Sequence, residues 1–379
     1  MTEMDSSPKI LRIGIVGCGK IADGHAEILM YLPGAKLAAV CDREPVLAEQ
    51  LAVRFGVPQW YGSLDEMLER ESLDVVHITT PPGVHLALTR QCVAAGAHVF
   101  LEKPLALTAP DCRSLIDAVT SAGKQMTINY WPNFDPPAMQ FKRMLADGLI
   151  GDPVHVEAFI GYDLAGAYGQ ALMSDPRHWV HALPGKLFQN MMDHIFNRIV
   201  PLFPADTPDC IPEVHAHAYK RRPEFRGDNT DTLLDELRVY LRGGTVSAYG
   251  SLSSHARPIA NTLKVYGTKN TLELDFSNRT VVLAASQKYP SAIGRLFPAF
   301  QSASRYLKAG RQNLGAFRRH EFQYFAGMST LLELFYQGIR TDGPPPISYD
   351  EIMKVVTVMD RVIEQVYPAQ VYLPAGGAQ

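Results

Sequence analysis

Gly17, Gly19 and Ala22 stand in a G-x-G-x-x-A spacing between an apolar run at 13–16 and a helical pattern. That spacing suits the pyrophosphate of a dinucleotide. The first glycine lets the chain turn, and the second removes a side chain where backbone must approach the ligand. The third position must be small so that helix and strand pack closely. The helix opening at Gly19, Lys20 and Ile21 then presents N–H groups and a positive dipole end to the phosphates. A second apolar run, 37–41, ends on Asp42, about 20 residues further on. A carboxylate there accepts from both ribose hydroxyls and repels a 2′-phosphate, which favours NAD over NADP. Arg43 beside it could hold a 2′-phosphate or lie over the adenine ring.

Two more polar clusters follow apolar runs. Thr80-Pro81-Pro82-Gly83-Val84-His85 comes after 75–79, and Glu102-Lys103-Pro104 closes His98–Leu101. Ligands bind parallel α/β sheets at the carboxyl ends of the strands. Thr80, Pro81, His85, Glu102 and Lys103 are therefore cofactor-site candidates by position. Proline after Lys103 disfavours helix there, leaving the lysine to project towards a nicotinamide. Glu102 reads as an orienter of Lys103, and His85 as a hydrogen-bonding neighbour of the cofactor rather than a catalyst.

The elements that must hold these residues alternate strand and helix. Apolar runs at 13–16, 37–41, 75–79, 98–101 and 125–128 flank helical patterns at 63–71, 84–95 and 109–122. This alternation implies a parallel sheet covered on both faces, over residues 1–128. From 129 onward a helix near 137–147 gives way to longer alternating runs at 154–160, 211–219, 233–241, 245–252, 262–266 and 271–274. Those runs read as a largely antiparallel sheet with one covered face. Turn signals at 242–244 and 267–270 mark hairpins. Helices at 321–336 and Tyr349–Val366 close the second domain, 129–379.

In this order and spacing, "GIVGCGKIA", "TPPGVH" and "EKPLALT" resemble the glucose–fructose oxidoreductase/inositol dehydrogenase (Gfo/Idh/MocA) family. The resemblance extends to "LADGLIGDPVHVEA" and "VYGTKNTLELDF". It implies α/β plus α+β architecture: an N-terminal Rossmann domain with a parallel sheet, then a large, mainly antiparallel, open-faced sheet. It also implies NAD(P)-dependent oxidoreduction of sugars, cyclitols and their derivatives, and homo-oligomers formed through the open sheet. In that family the E-K-P lysine lies by the nicotinamide and the substrate hydroxyl, which points to Lys103.

The family's second motif, D-x-x-x-H-x-x-D, fits "GKLFQNMMDHIFNRI" only at Asn190, His194 and Asn197. The resemblance makes His194 the catalytic histidine position. Spacings of four and three put the three residues on one helical face. Both acids are replaced by amides, so the base role narrows to His194 or Lys103. Asp193 is one residue off, about 100° round the helix. A carbinol hydroxyl held by these two residues would lose its proton to one of them, His194 by default. Lys103 would polarise the oxygen.

Ahead of the helix, Trp179 and His181 suit a sugar wall, one by stacking and the other by hydrogen bonding. A structural anchor serves equally well for the tryptophan, and Tyr130 carries the same two readings. No set of ligands at fixed spacing calls for a metal.

Bulk composition is that of a globular chain. Its 379 residues are 46% apolar and 20% charged, with net charge −3. Nothing in that balance calls for nucleic acid, and no apolar run is long enough to span a membrane. The first ten residues lack the apolar core of a signal peptide. Five scattered cysteines without C-x-x-C fit a reduced, cytoplasmic protein.

Between Asp275 and Glu321 there is no acid but there are eight lysines and arginines, interleaved with aromatic and leucine residues. Three readings stay open for 288–319: contact with an anionic substrate such as a nucleotide sugar, contact with a membrane surface, or a solvated insertion or subunit contact. The leading function is hydride transfer between a nicotinamide and a carbinol or carbonyl of a sugar, cyclitol or sugar nucleotide. The alternatives are a lyase, isomerase or hydrolase using NAD without net redox change, and a non-catalytic NAD-binding sensor.

Overall fold

Short apolar strands separated by amphipathic helices build a six-stranded parallel sheet in the first third of the chain. In order these are β1 (Leu11–Val16), α1 (Lys20–Tyr31), β2 (Ala35–Cys41), α2 (Pro45–Phe55), β3 (Gln59–Tyr61) and α3 (Leu64–Arg70). Then come β4 (Val75–Ile78), α4 (His85–Ala94), β5 (His98–Leu101), α5 (Ala109–Ser121) and β6 (Met126–Ile128). This computed structural model describes residues 9–175, 177–204, 211–221, 233–285, 291–319, 322 and 325–368, with backbone alone at 167–168 and 291–296. The sheet order is β3-β2-β1-β4-β5-β6, with every pairing parallel. The order reverses between β1 and β4, so their carboxyl ends form the crevice where such sheets take ligands.

Next along the chain are α6 (Pro136–Ala146), β7 (Pro153–Gly161), α7 (Ala167–Ser174), α8 (Lys186–Met191), α9 (Asp193–Ile199), β8 (Glu213–Tyr219), β9 (Glu236–Gly243) and β10 (Val246–Ser253). They are followed by β11 (Asn261–Gly267), β12 (Asn270–Asp275), β13 (Thr280–Ala285), α10 (Ser291–Arg318), α11 (Ala326–Thr341) and α12 (Tyr349–Val366). The seven strands form one sheet in the order β13-β12-β11-β7-β10-β9-β8. All pairings are antiparallel except β7 with β10, which is parallel. Both expected hairpins are present, β9–β10 around Gly244 and β11–β12 around Thr268 and Lys269. Gly244 has φ +58°, a left-handed conformation that glycine takes without steric cost.

The chain divides into two compact units, Met1–Trp131 with Gly327–Tyr349, and Pro132–Ala326 with Asp350–Gln379. The boundary falls three residues beyond the expected 128, and the first unit is discontinuous. The physical reason lies in α11. Met328, Leu331, Leu332, Phe335 and Tyr336 recur at the i, i+3, i+4, i+7, i+8 spacing of a helix face, and all are buried. Phe335 packs on Phe100 of β5, with ring centroids 6.2 Å apart. Burial of each such side chain contributes about 2 kcal/mol. The sequence pattern showed the helix but not which sheet it covers.

Candidate functional site

The glycine turn is built as its residue types require. Gly17 accepts no side chain: its φ is +97°, and a Cβ would lie 2.7 Å from Thr80 Cγ2 and 3.0 Å from the Thr80 backbone nitrogen. Gly17→Ala is expected to cost about 2 kcal/mol of stability. Urea unfolding and an NADH titration would check it, with weaker binding expected as the loop shifts. Gly19 is the opposite case, since a Cβ there would meet nothing within 4 Å. The backbone beside it faces open space at the start of α1, which no side chain caps. Ala22 is fully buried under the helix, the tight packing expected of the third position.

Asp42, at the end of β2, is held by two backbone donors. Cys18 N–H donates to Oδ2 at 2.6 Å and Glu44 N–H to Oδ1 at 2.9 Å. Arg43 beside it is exposed. Thr80 has a buried hydroxyl with no hydrogen-bond partner among the described residues. An open glycine backbone, an uncapped helix start, a fixed carboxylate and an orphan hydroxyl are what a bound dinucleotide needs, so the residues fit NAD. Burial pushes the thiols of Cys18 and Cys41 up to about 12, which leaves them protonated rather than nucleophilic.

His85 is fully buried. Its ring nitrogens lie 2.8 Å from the carbonyl oxygens of Thr80 and Leu105, tying the loop after β4 to the loop after β5. Burial holds its pKa below the usual imidazole value against the pull of both carbonyls. It is a clamp between two site loops.

Glu102 and Lys103 follow β5. Lys103 is half-buried, and its backbone N–H donates to Glu102 Oε2 at 3.1 Å. Glu102 Oε1 accepts from Asn129 Nδ2 at 2.5 Å and meets His25 Nε2 at 2.9 Å. Behind it runs a buried chain: His25 Nδ1 lies 2.9 Å from His77 Nδ1, and His77 Nε2 lies 2.7 Å from the Tyr336 hydroxyl. The directions of donation follow from the partners. An anionic Glu102 requires His25 Nε2–H to donate. One proton lies between His25 Nδ1 and His77 Nδ1, and another between His77 Nε2 and the Tyr336 hydroxyl. Burial, with His25 next, drives the His77 pKa well below its usual value, and burial raises that of Tyr336, so both are neutral. Burial alone would raise the Glu102 pKa, but hydrogen bonds from His25 and Asn129 and the nearby Lys103 charge bring it below the ordinary carboxylate value. His25, His77 and Tyr336 were not singled out by sequence. A histidine inside the apolar run "VVHI" was the available signal.

In the second unit, the expected single helix is interrupted. At Met192, between α8 and α9, Ile195 N–H bonds the Met192 carbonyl at 3.0 Å, and Phe196 N–H shares that oxygen at 3.1 Å. This tightened turn separates Asn190 from His194, so the four-residue spacing no longer fixes their common face. Asn190, Asp193 and Asn197 are buried, whereas the His194 side chain keeps 17% exposure. Asp193 Oδ1 is 3.9 Å from His194 Nε2, nearer than an offset of about 100° suggests. Buried Arg198 spans this region. Its guanidinium stacks on Phe276 at 3.7 Å and donates to Asn261 Oδ1 at 2.5 Å. Burial pushes its pKa down to about 9, opposed by Asp193 and Asp135.

Trp179 and His181 lie in a 3-10 turn, Trp179–Ala182. Trp179 is half-buried and stacks on His178, with ring centroids 5.9 Å apart. His181 Nε2 donates to the Leu172 carbonyl at 2.8 Å, and its Nδ1 is buried with no partner among the described residues. Lys186, missed by sequence reading, is buried at φ +46° and donates to the His181 carbonyl at 3.3 Å; burial lowers its pKa. Tyr130 is 1% exposed.

A parallel sheet with a glycine turn at its crossover, and a lysine at the end of β5, are the features of a unit that binds a nicotinamide nucleotide. Residues 11–130 match the family described as "Oxidoreductase family, NAD-binding Rossmann fold". It is 32% identical over 157 residues to trans-1,2-dihydrobenzene-1,2-diol dehydrogenase of Mus musculus, covering 41% of this chain and 47% of that protein. It is 31% identical over 150 residues to scyllo-inositol 2-dehydrogenase (NAD(+)) of Bacillus subtilis, covering 39% and 44%. The chain thus spans less than half the length of these two relatives in alignment. The fold is shared over 95% of this chain and 96% of the WlbA dehydrogenase of Bordetella pertussis, solved in complex with NADH and UDP-GlcNAcA, at TM-score 0.73 and 18% identity.

Proposed function

We propose that this protein transfers a hydride between NAD and a carbinol or carbonyl carbon of a sugar, cyclitol or sugar nucleotide. The observation that carries this reading is Lys103, held at the end of β5 by a buried anionic Glu102 within the NAD-binding unit. Bound NAD supplies the hydride acceptor. Gly17, Gly19, Lys20, Ile21, Asp42, Arg43, Thr80 and Pro81 hold it. Lys103 donates to the reacting oxygen and stabilises the charge that develops there. His194, partly exposed beside Asp193, takes the proton as the alcohol is oxidised. Trp179, His181 and Asn190 bind the polyol. The polar, aromatic face of the seven-stranded sheet around Tyr249 and Tyr240, whose rings lie 5.3 Å apart, supports a homo-oligomer contact. A cytoplasmic location fits the absence of disulfide-type cysteine spacing.

The test is NADH absorbance with NAD and a panel of free sugars, cyclitols and nucleotide sugars. A signal with one substrate class supports the reading. NADH binding without any signal moves the assignment to an NAD-using enzyme without net redox change or to a sensor, a reading favoured by the amides at 190 and 197. Asp42→Ala is expected to weaken NADH binding about tenfold while narrowing the preference over NADPH. Fluorescence titration of both cofactors checks this.

A further inference from the structure

Helix α10 has 28 residues and lies in the second unit, where it packs on β13. Its described contacts are narrow: Ala309 is buried, and Asn313 Nδ2 donates to the Asn278 carbonyl at 2.9 Å. The opposite side is wet and apolar. Phe300 is 69% exposed and Phe317 66%, with Tyr306, Leu307 and Leu314 each about half exposed. Phe300, Leu307 and Leu314 recur every seven residues, and Tyr306 and Phe317 widen the stripe to an arc of about 120°. Single exposed apolar residues are ordinary, but a continuous arc marks an interaction surface. Lys308, Arg311 and Arg318 border it, all exposed, and no acid occurs anywhere from 276 to 320.

Two kinds of occupant would cover the apolar arc, and the charge separates them. A two-fold contact between copies through this face would set cations against the same cations. An anionic lipid surface would take up the aromatic and leucine side chains and attract the flanking cations at once. No helix among the described residues is long and apolar enough to cross a membrane, so such contact lies in the plane of the surface. We propose that α10 is an interfacial helix that seats this protein on anionic lipid. The inference goes beyond the dehydrogenase reading and does not depend on it.

The experiment is flotation of the full chain with vesicles of phosphatidylcholine, or of phosphatidylcholine mixed with phosphatidylglycerol, at low and high salt. The protein should float with the mixed vesicles at low salt, stay behind with phosphatidylcholine alone, and be released by salt. Each cation near an anionic surface is worth about fivefold in partition, so Lys308→Ser, Arg311→Ser and Arg318→Ser together should weaken it about 100-fold. Leu307→Ser with Phe317→Ser should also release the protein, with NADH binding unchanged in both variants. The proposal is overturned if the chain ignores the mixed vesicles at low salt, or if binding survives both variants. It is also overturned if light scattering shows a wild-type mass that falls in the Leu307/Phe317 variant, which gives the face to a second copy.

Discussion

Lys103→Ala lowers kcat/KM about a thousandfold and leaves NADH affinity within about threefold of the parent protein; this is the largest effect expected in the molecule. A positioned donor or proton carrier is worth that much when it acts on the reacting oxygen. The proposed cofactor cradle uses other residues, the β1–α1 turn and Asp42 at the end of β2. Stopped-flow hydride transfer and NADH fluorescence separate the two functions. Equal loss of both would make Lys103 a cofactor residue, and full activity would remove it from the chemistry. Lys103→Arg is the useful companion, because it keeps the charge but not the compact ammonium.

The second large effect concerns stability. His25→Leu removes a donor from the buried Glu102 carboxylate. Taking a hydrogen-bond donor from a buried carboxylate costs about 3 kcal/mol, because the charge stays in a poorly solvating interior with less to compensate it. The pH dependence follows from the lowered Glu102 pKa. A carboxylate whose native pKa lies below its unfolded value stabilises the fold fully above the unfolded value. That stabilisation is lost as pH falls through the native one. In the parent protein the loss therefore sits at the acid end. In His25→Leu the upward push of burial meets less opposition, so the loss begins nearer neutrality. Urea unfolding across pH 4–8 would display the shift, and an unshifted curve would show that Glu102 is held mainly by Asn129 and Lys103. Tyr336→Phe, at the far end of the chain, is expected to cost only about 1 kcal/mol.

How far these features could be read before the fold was known differs between the units. Five of the six parallel strands, β1, β2, β4, β5 and β6, announced themselves because each is a buried apolar run beside an amphipathic helix. β3 did not, since Gln59 and Trp60 are exposed and only Tyr61 is buried. β13 was missed at the start of the acid-free segment, where its alternation is short. The break at Met192 has no glycine or proline to signal it, and so a single helix face was expected from Asn190 to Asn197. The hydrogen-bonded chain behind Glu102 was out of reach for another reason: His77 and Tyr336 are 259 residues apart. Local periodicity places each on an apolar face but cannot say that two polar atoms on those faces meet. Glycines, by contrast, were legible, because the need for a turn at Gly17 and an open backbone at Gly19 is local.

The return of α11 to the first unit also sets an order on biosynthesis. When the ribosome has completed Trp131, every strand of the six-stranded sheet exists, yet Phe100 and His77 lack the helix that covers them. At about 5–20 residues per second, translation takes roughly 10 to 40 s more to reach Tyr336. Through that interval the nascent sheet carries uncovered apolar surface and an unfinished polar chain, which leaves it prone to aggregation until α11 has been made.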